Sequence, residues 1–489
     1  MSAAATERLP LHCRTGDQID RRICRVLCSG AKFQERVGLR QEPLPRLDER
    51  RCWFRQFFSL TLLRAKLGQY KVWIIETAAP PLLSHSIDRP RSLHPSKAHS
   101  VVVFLIMAPV ADTKSSSMEL SALKDNLTLM ATHKKELELI KSAPAAPGPG
   151  MALVHVRATG VCGSDVHFWK HAGLGPWKIE SQCALGHESG GIVIAVGEGV
   201  DNVSPGDRVA IEPGVPCFKA TCDFCRTGKY NLCPTVDFYS VPPKDGTLKR
   251  YHEHPAGWLH KVPDNMSYEE IALLEPLSVT LQATLQAEIS LGTPVLITGA
   301  GPIGIVQLLC ASAAGATPIV ITDVVQDRLD FAQKIVPGTY TYQIDPKKSP
   351  LESATEICKV FSKASGKHIA EGQKDVQPAI TMECTGIESS IQTAAYATAA
   401  SGLVFVIGVG ANFQQIPFMH LSTNEITLKF LFRYRDTWPR AIRLVSSGKI
   451  DVKQIVTSRF PLEKAKEAVE HAADRTKFSV KTIIYDDEE

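Results

Sequence analysis

The hydrophobic and polar positions divide the chain into regions of different character. Residues 1–106 show no sustained helical or strand periodicity, and prolines and histidines interrupt residues 80–99. From residue 127 to about residue 265, short apolar runs alternate with turn-forming residues, which predicts a glycine-rich, all-β region. Within it, residues 152–157 alternate apolar and polar side chains and predict a half-buried strand.

The pattern changes after residue 293. Residues 294–298 predict a short apolar strand, residues 305–314 an apolar helix, and residues 318–322 a second strand that leads to Asp323. The sequence Gly299-Ala-Gly-Pro-Ile-Gly304 stands between the first strand and the helix. A strand, a glycine-rich turn, a helix and a second strand in this order predict a β-α-β unit of a doubly wound parallel sheet.

The glycine-rich turn is of the kind that binds a dinucleotide. Gly299 permits a tight turn, Gly301 lets a pyrophosphate approach the backbone, and Gly304 lets the helix pack closely on the strand. The unpaired N–H groups at the helix N-terminus favour phosphate. Asp323 is placed to accept hydrogen bonds from the adenosine ribose, and its charge disfavours a 2′-phosphate, so the motif predicts NAD rather than NADP. The predicted cofactor-binding residues are Gly299, Gly301, Pro302, Ile303, Gly304, Asp323 and Arg328.

Composition narrows the class of protein. The chain has 489 residues, of which 44% are hydrophobic and 22% charged, and this is ordinary for a globular protein of about two or three domains. No run of about 18 apolar residues occurs, so we expect no membrane-spanning helix and no membrane partner. The net charge of +4 is too small to indicate nucleic-acid binding.

The basic character belongs to the beginning of the chain. Residues 1–106 contain 18 lysines and arginines against 9 acidic residues. Three interpretations stay open: an arginine-rich targeting presequence, which would ordinarily avoid acidic residues, a folded extra domain, or a disordered or non-native stretch. We predict the last for a basic head at 1–117, with Met107 as a plausible start of the working protein and the head dispensable.

Potential metal ligands of three types precede the nucleotide motif. Cys162 begins the sequence CGSDVH, and His187 and Glu188 follow in the sequence GHE. Zinc binds thiolate, imidazole and carboxylate groups, and three protein ligands with an open fourth position form a catalytic site. Glu275 stands in an apolar context and is either a further ligand or a group that orients zinc-bound water. Taken alone, Cys162 could be a buried thiol and His187 a core histidine.

A second group consists of four cysteines within 17 residues, the four-cysteine lobe: Cys217, Cys222, Cys225 and Cys233. Four thiolates at this spacing predict a closed structural zinc site, and the alternative is a loop whose thiols bind no metal. The sequence carries 13 cysteines without a signal peptide, which indicates a reducing compartment, and we expect a cytoplasmic protein.

The motifs CGSDVHFW, GHESGG, GDRVAIEP, LLEPLSV, GAGPIG and FRYRDTWPRAI occur in this order. They resemble the zinc-dependent medium-chain dehydrogenase/reductase superfamily, in its polyol (sorbitol, xylitol, L-arabinitol) dehydrogenase branch, and most of all the fungal L-arabinitol dehydrogenases. The resemblance covers roughly residues 120–489. It implies an α/β fold with a GroES-like, mostly-β catalytic domain at 118–278, an inserted Rossmann domain at 279–427, and a C-terminal return to the catalytic domain at 428–489.

The resemblance also implies roles for individual residues. It makes Cys162, His187 and Glu188 the ligands of the catalytic zinc, with Glu275 bound directly or through water. It places Ser164 and His167 near the bound water and the nicotinamide ribose. The residues implied to contact substrate are Phe168, Arg433 and Tyr434.

The chain departs from the family pattern at two places. In the family, two residues usually separate the first two lobe cysteines, whereas four residues separate Cys217 from Cys222. Arg435 and Asp436 stand where relatives often have cysteine and asparagine. The first departure affects the structural zinc site, and the second affects the preference among sugars.

The implied activity is the NAD-dependent oxidation of a secondary hydroxyl of a polyol to the ketose, by a zinc enzyme that forms a homo-oligomer, a tetramer in the family. Two alternatives stay open: a simple alcohol or threonine-like substrate, and an inactive nucleotide-binding relative. The FRYRDTWP motif argues against the first, and the presence of all three zinc ligands argues against the second.

Overall fold

The computed structural model describes residues 40–41, 59–67, 70–78 and 101–106 as backbone strands, and residues 123–366 and 376–487 with their side chains. The chain divides into two compact units, Met1–Ser116 and Ser117–Glu489. In the first unit, four strands form an antiparallel sheet in chain order: β1 (Arg40–Gln41), β2 (Ser59–Leu67), β3 (Tyr70–Ala78) and β4 (Val101–Ile106).

In the head, where the sequence shows no sustained periodicity, the structure contains these four strands. Residues 72–75 and 101–106 are continuous apolar runs without a period of two, whereas β2 does alternate over Leu63-Arg64-Ala65-Lys66-Leu67, a short local signal that was not assigned to a strand. The rest of the head, including Met107, lies outside the described residues. That the head is dispensable stays a prediction.

The second unit begins with short strands and a few helices. In chain order they are β5 (Asn126–Thr132), β6 (Leu137–Ser142), β7 (Met151–Gly160), α1 (Gly163–His171), β8 (Gly173–Leu174), β9 (Trp177–Lys178), β10 (Gln182–Ala184), β11 (Glu188–Val196), β12 (Arg208–Ile211), β13 (Gly214–Val215), α2 (Asp223–Arg226), β14 (Asp237–Phe238), β15 (Tyr251–Pro255), β16 (Leu259–Lys261), α3 (Tyr268–Ala272) and α4 (Leu274–Gln286).

Strands and helices then alternate regularly up to residue 430. They are β17 (Val295–Thr298), α5 (Pro302–Ala313), β18 (Ile319–Asp323), α6 (Gln326–Ile335), β19 (Tyr340–Gln343), α7 (Pro350–Ala364), β20 (Ile380–Glu383), α8 (Glu388–Ala397), β21 (Leu403–Val406), α9 (Phe418–Thr423) and β22 (Thr427–Phe430). The chain ends with α10 (Trp438–Ser446), β23 (Val456–Pro461), α11 (Ala465–Ala473) and β24 (Lys481–Tyr485).

The first sheet of this unit is mostly antiparallel. Its strands follow the order β16-β12-β11-β7-β24-β23, and β15 also pairs with β7. Because β7 is central, its residues are buried on both faces: Val154 packs in one apolar cluster and Leu153 in another. The predicted half-buried strand is therefore present but almost wholly buried. The pairing of β24 with β7 brings the end of the chain back into this sheet.

Helix α1 is an element that the sequence did not predict in the region expected to be all-β. Its residues, GSDVHFWKH, have low helix propensity and little amphipathic pattern. The helix forms because its N-terminus is capped: the carboxylate of Asp165 accepts a 3.0 Å hydrogen bond from the backbone N–H of Cys162. The cap places Cys162 at the junction between β7 and α1.

The second sheet is parallel, with the strand order β19-β18-β17-β20-β21-β22, as expected for a doubly wound nucleotide-binding fold. Helices cover both faces, because alternate residues of β17 point to opposite sides: Leu296 packs with Phe361 of α7, and Ile297 with Ile305 of α5. The predicted β-α-β unit is present in this sheet as β17, α5 and β18.

The predicted domain boundaries differ from the elements. Helix α4 runs without interruption across the boundary placed at residues 278 and 279, and β22 extends the parallel sheet beyond residue 427 to Phe430. Helix α4 packs against the core of the catalytic domain and against that of the nucleotide-binding domain. The sequence of such a helix gives no local signal of where one domain ends. Among the described residues, no helix is long and apolar enough to span a membrane.

Candidate metal and nucleotide site

Three potential metal ligands meet where β7 and β11 lie side by side. Cys162 follows β7, and His187 directly precedes β11, whose first residue is Glu188. The antiparallel register places Glu188 opposite Gly160, two residues before Cys162. A side chain at residue 160 would collide with the Glu188 carboxylate, with its Cβ only 2.2 Å from Oε2, so glycine permits the close approach.

The donor atoms of Cys162, His187 and Glu188 lie within 4.8 Å of one another. His187 and Glu188 are buried and Cys162 is partly exposed, so the group is accessible from one side. Nδ1 of His187 lies 3.4 Å from Oδ1 of Asp165, and this contact leaves Nε2 for a metal ion. One thiolate, one imidazole and one carboxylate at this separation fit zinc with an open coordination position.

Asp165 completes this group, although the sequence analysis assigned it no role. The side chain is fully buried, and it accepts hydrogen bonds from the backbone N–H of Gly186 and from the hydroxyl of Ser240, both at 3.0 Å. Burial raises the pKa of Asp165, but the His187 charge and the backbone N–H groups of Gly186 and Cys162 outweigh burial and lower the pKa. A carboxylate that orients a metal-binding histidine typically strengthens metal binding. The sequence signal that could have identified Asp165 was its position three residues after Cys162.

Lys481 is the second residue that the sequence analysis missed. Its ammonium group, buried in β24, forms an ion pair with the Glu188 carboxylate and donates a 3.0 Å hydrogen bond to the carbonyl oxygen of Val161. Burial lowers the pKa of Lys481, but the charges of Glu188 and Cys162 outweigh it and raise the pKa. Lys481 thus balances negative charge among the ligands. No local motif marks Lys481, because only the pairing of β24 with β7 brings this residue to the metal ligands.

The other predicted catalytic residues lie at different distances from the three ligands. Ser164 is near, with Oγ 3.4 Å from Nε2 of His187. Glu275 is outside the group of three and is buried in the first turn of α4; burial raises its pKa to about 7, with the His187 charge opposing the shift and the Glu188 charge adding to it. His167 is exposed, with Nδ1 3.4 Å from the carbonyl oxygen of Gly173.

Phe168 lies in the apolar core of the protein. Its ring is 2% exposed and packs in an apolar cluster with Leu129 and Leu185. Contact between Phe168 and a substrate therefore has no support in this structure and stays a prediction.

Arg433 and Tyr434 lie on a short segment between β22 and α10. The Arg433 guanidinium group lies over three aromatic rings, 3.6 Å from the centroid of Phe238, 4.5 Å from that of Phe432 and 5.7 Å from that of Trp177. Burial lowers the pKa of Arg433 to about 10, with the charges of Tyr434 and Glu275 opposing the shift. The guanidinium group therefore remains charged at neutral pH and is held by cation–π contacts.

The four-cysteine lobe brings its sulfur atoms together. All four Sγ atoms lie within 4.8 Å of one another; the Cys217–Cys225 distance is 3.8 Å and the Cys222–Cys233 distance 4.0 Å. A tetrahedral zinc ion with Zn–S bonds of about 2.3 Å requires sulfur atoms about 3.8 Å apart. Four residues separate Cys217 from Cys222, two more than is usual in the family. Within this loop Phe218 adopts a left-handed conformation, at φ 47°. The donor set fits a structural zinc ion.

The glycine-rich turn joins β17 to α5. Gly299 has φ 93°, and a side chain there would collide with Thr385, while a Cβ on Gly304 would lie 1.7 Å from the Gly299 carbonyl oxygen. A Cβ on Gly301 would meet no protein atom within 4 Å, so this glycine faces open space at the N-terminus of α5. Pro302 is the first residue of that helix and Ile303 the second. This surface can accept a pyrophosphate group.

Asp323 ends β18 beside this turn. One carboxylate oxygen accepts a 2.8 Å hydrogen bond from the backbone N–H of Ala300, and the other a 2.9 Å bond from that of Val325. These bonds fix the carboxylate and leave acceptor capacity for two ribose hydroxyls. The Arg328 guanidinium group lies 3.8 Å from Asp323, so this arginine is also at the nucleotide site.

Comparisons with known proteins agree with this geometry. Residues 148–264 match the family model of the alcohol dehydrogenase GroES-like domain, and residues 302–447 match that of the zinc-binding dehydrogenases. The chain is 50% identical to an L-arabinitol 4-dehydrogenase of Aspergillus oryzae over 361 residues, covering 74% of this chain and 92% of the relative. It is 43% identical to the sorbitol dehydrogenase of Bos taurus over 350 residues, covering 72% and 94%. The solved structure of L-idonate 5-dehydrogenase from Escherichia coli superposes with a TM-score of 0.64 at 25% identity, covering 74% of this chain and 98% of that structure.

Proposed function

The chain belongs to the zinc-binding dehydrogenases with an alcohol dehydrogenase GroES-like domain, and on that premise we propose that it oxidises a secondary hydroxyl of a polyol to the ketose with NAD. The observation that carries the proposal is the convergence of Cys162, His187 and Glu188 in a chain that also holds a dinucleotide-binding turn. L-Arabinitol is the first candidate substrate and sorbitol or xylitol the next, because the relatives named above act on polyols.

The reaction removes a hydride from the carbinol carbon and a proton from its hydroxyl group; NAD takes the hydride, and the proton leaves to solvent. A zinc ion held by Cys162, His187 and Glu188 would supply Lewis acidity that lowers the pKa of the hydroxyl. We propose that Ser164, whose hydroxyl lies near His187, and the exposed His167 pass the proton outward.

Other residues bind and orient the reactants. The Arg433 guanidinium group and the Tyr434 hydroxyl can hold the hydroxyl groups next to the reacting carbon. Tyr434 is buried, and its hydroxyl has no hydrogen-bond partner among the described residues, so it is available to a ligand. Gly301 faces the pyrophosphate group of NAD, and Asp323 accepts hydrogen bonds from its adenosine ribose. A polyol satisfies more of these groups than a simple alcohol does.

A substrate panel tests the proposal. The purified protein is assayed with L-arabinitol, xylitol, D-sorbitol and ethanol, each with NAD and with NADP. We expect turnover of at least one polyol with NAD and a kcat/KM for ethanol at least about 100-fold lower, since the contacts to the further hydroxyl groups are lost. Preference for ethanol would indicate a simple alcohol dehydrogenase. NAD binding without any turnover would indicate an inactive relative.

Asp323 is expected to set the choice of cofactor. We predict that Asp323→Ser raises kcat/KM with NADP by about tenfold or more and lowers it with NAD, because the change removes a charge that repels a 2′-phosphate and frees Arg328 to bind it. Asp330→Ser, which removes a carboxylate from the exposed side of α6, is the control and should leave the NAD:NADP ratio unchanged. Equal use of both cofactors by the unaltered protein would contradict the role of Asp323.

We also propose a homo-oligomer, a tetramer as in the family. In the described part of the chain, no strand pairs with the outer edge of β22, and exposed apolar side chains lie in and before this strand: Val409, Phe413, Phe418, Met419 and Phe430. A second copy related by twofold symmetry could cover this edge.

We propose a cytoplasmic location as well. Cys183, Cys310 and Cys384 lie outside the proposed zinc sites and form no disulfide bond in the described part of the chain, and unpaired cysteines persist in a reducing compartment.

A further inference from the structure

The four-cysteine lobe contacts the backbone that precedes Arg433. Asn231 lies in a short 3-10 helix, Tyr230–Leu232, just before the last cysteine of the lobe. Its side chain is 8% exposed, and Nδ2 donates a 2.7 Å hydrogen bond to the carbonyl oxygen of Phe432. The bond joins residues 201 positions apart, so no local turn requires it.

The backbone that follows this carbonyl group is strained. Arg433 has φ 57° and Asp436 has φ 52°, and residues other than glycine rarely adopt this left-handed conformation. Such a segment keeps its shape only where contacts on both sides hold it. Asn231 holds the near side, and the Tyr230 hydroxyl holds the far side by accepting a 2.8 Å hydrogen bond from the backbone N–H of Asp436.

The side chains proposed to bind substrate lie between these two anchors. Arg433 follows the anchored carbonyl group directly, so the Asn231 bond sets the direction in which its side chain leaves the backbone. Asn231, Arg433, Tyr434 and Phe238 line one small cavity at the junction between the lobe and this segment. The Asn231 side chain therefore contacts the backbone directly before Arg433. A shift of the backbone at this point would displace both Arg433 and Tyr434.

We infer that Asn231 is a positioning residue for the polyol: its amide group fixes the carbonyl group of Phe432 and thereby the placement of Arg433 and Tyr434. The inference rests on the proposed function. It assigns the lobe a part in substrate specificity, because a substrate without further hydroxyl groups does not use Arg433 or Tyr434 and does not depend on Asn231.

The experiment compares Asn231→Leu with the unaltered full-length, zinc-loaded enzyme. Leucine has a similar volume and no donor. We expect KM for L-arabinitol to rise about tenfold, which corresponds to about 1.4 kcal/mol and is typical of one lost buried hydrogen bond. The expected change in kcat is less than about threefold. KM for NAD and kcat/KM for 2-propanol, a secondary alcohol without further hydroxyl groups, should stay the same.

The matched control is Asn202→Leu. Asn202 also donates a 2.7 Å hydrogen bond from Nδ2 to a backbone carbonyl oxygen, that of Ala256, but it lies between β11 and β12 and contacts neither the metal ligands nor the Arg433 segment, so its loss should change none of these constants. Zinc content and melting temperature are measured for each variant. If Asn231→Leu does not fold, Asn231→Ala, which also lacks the donor, is measured in its place.

Several results would overturn the inference: an unchanged KM for L-arabinitol, an equal loss of kcat/KM for 2-propanol, or a loss of zinc that accounts for the whole effect. Failure of the proposed function is distinguishable, since the unaltered enzyme would then oxidise no polyol. A wild-type enzyme that oxidises L-arabinitol, with an Asn231→Leu variant that behaves in the same way, counts against the role of Asn231 alone.

Discussion

His187→Ala is expected to lower kcat for polyol oxidation by at least about 1000-fold while leaving the Kd for NAD nearly unchanged. The substitution removes one of three ligands, and a secondary alcohol is too weak an acid to lose its proton at neutral pH without a metal ion. The nucleotide site is built on the other sheet, from the turn after β17 and the end of β18, so NAD binding does not require His187. Turnover, zinc content and NAD affinity are measured on the same preparation.

His155→Ala is the matched control. His155 is 8% exposed and His187 7%, and each has a ring nitrogen close to an aspartate: Nε2 of His155 lies 3.1 Å from Oδ2 of Asp486. His155 lies outside the ligand group, so its replacement should retain zinc and most of the turnover, whatever it costs in stability. A metal-free His187→Ala enzyme that still oxidised L-arabinitol or sorbitol at a comparable rate would show that the metal is not required.

Cys222→Ser is expected to remove one of two zinc ions and to lower the melting temperature by roughly 10 °C. A filled site of four thiolates contributes several kcal/mol to folding, and the serine hydroxyl is a poor zinc ligand. The unaltered protein should contain about two zinc ions per chain and the variant about one. Elemental analysis and thermal unfolding provide the measurements.

Cys183→Ser is the control for this prediction. Cys183 is buried like Cys233, but it lies outside both groups of potential metal ligands in the described part of the chain. Its replacement should leave the zinc content unchanged. If the unaltered protein contains one zinc ion and Cys222→Ser retains it, the lobe is empty and only the catalytic site is filled.

The nucleotide-binding turn was predictable from the sequence because all its signals are local. A short apolar strand, three glycines at fixed spacing and an apolar helix lie within residues 294–314, and Asp323 follows at the end of the next strand. The structure contains these elements in that order. The glycines are required by the backbone itself: Gly299 by its positive φ, and Gly304 by its contact with the Gly299 carbonyl oxygen.

The surroundings of the metal ligands were only partly predictable. The residue types of Cys162, His187 and Glu188 indicated zinc, but Asp165 and Lys481, which contact two of them, were not assigned. Asp165 was missed because it caps α1, and the residues of that helix have low helix propensity. Lys481 arrives from a strand near the end of the chain, and a lysine is rarely expected to be buried beside a metal site.

By itself, the sequence determined which chemical groups the protein has: the thiolates, imidazole and carboxylates for zinc, the turn for a dinucleotide, and the alternation of strands and helices that forms the parallel sheet. The tertiary structure decided which of these groups meet. The register of β7 with β11 sets Glu188 beside Cys162, and the pairing of β24 with β7 adds Lys481. A contact across 201 residues joins Asn231 to the backbone before Arg433. Local patterns do not contain these contacts, because strand pairing and burial between distant segments depend on how the whole sheet packs.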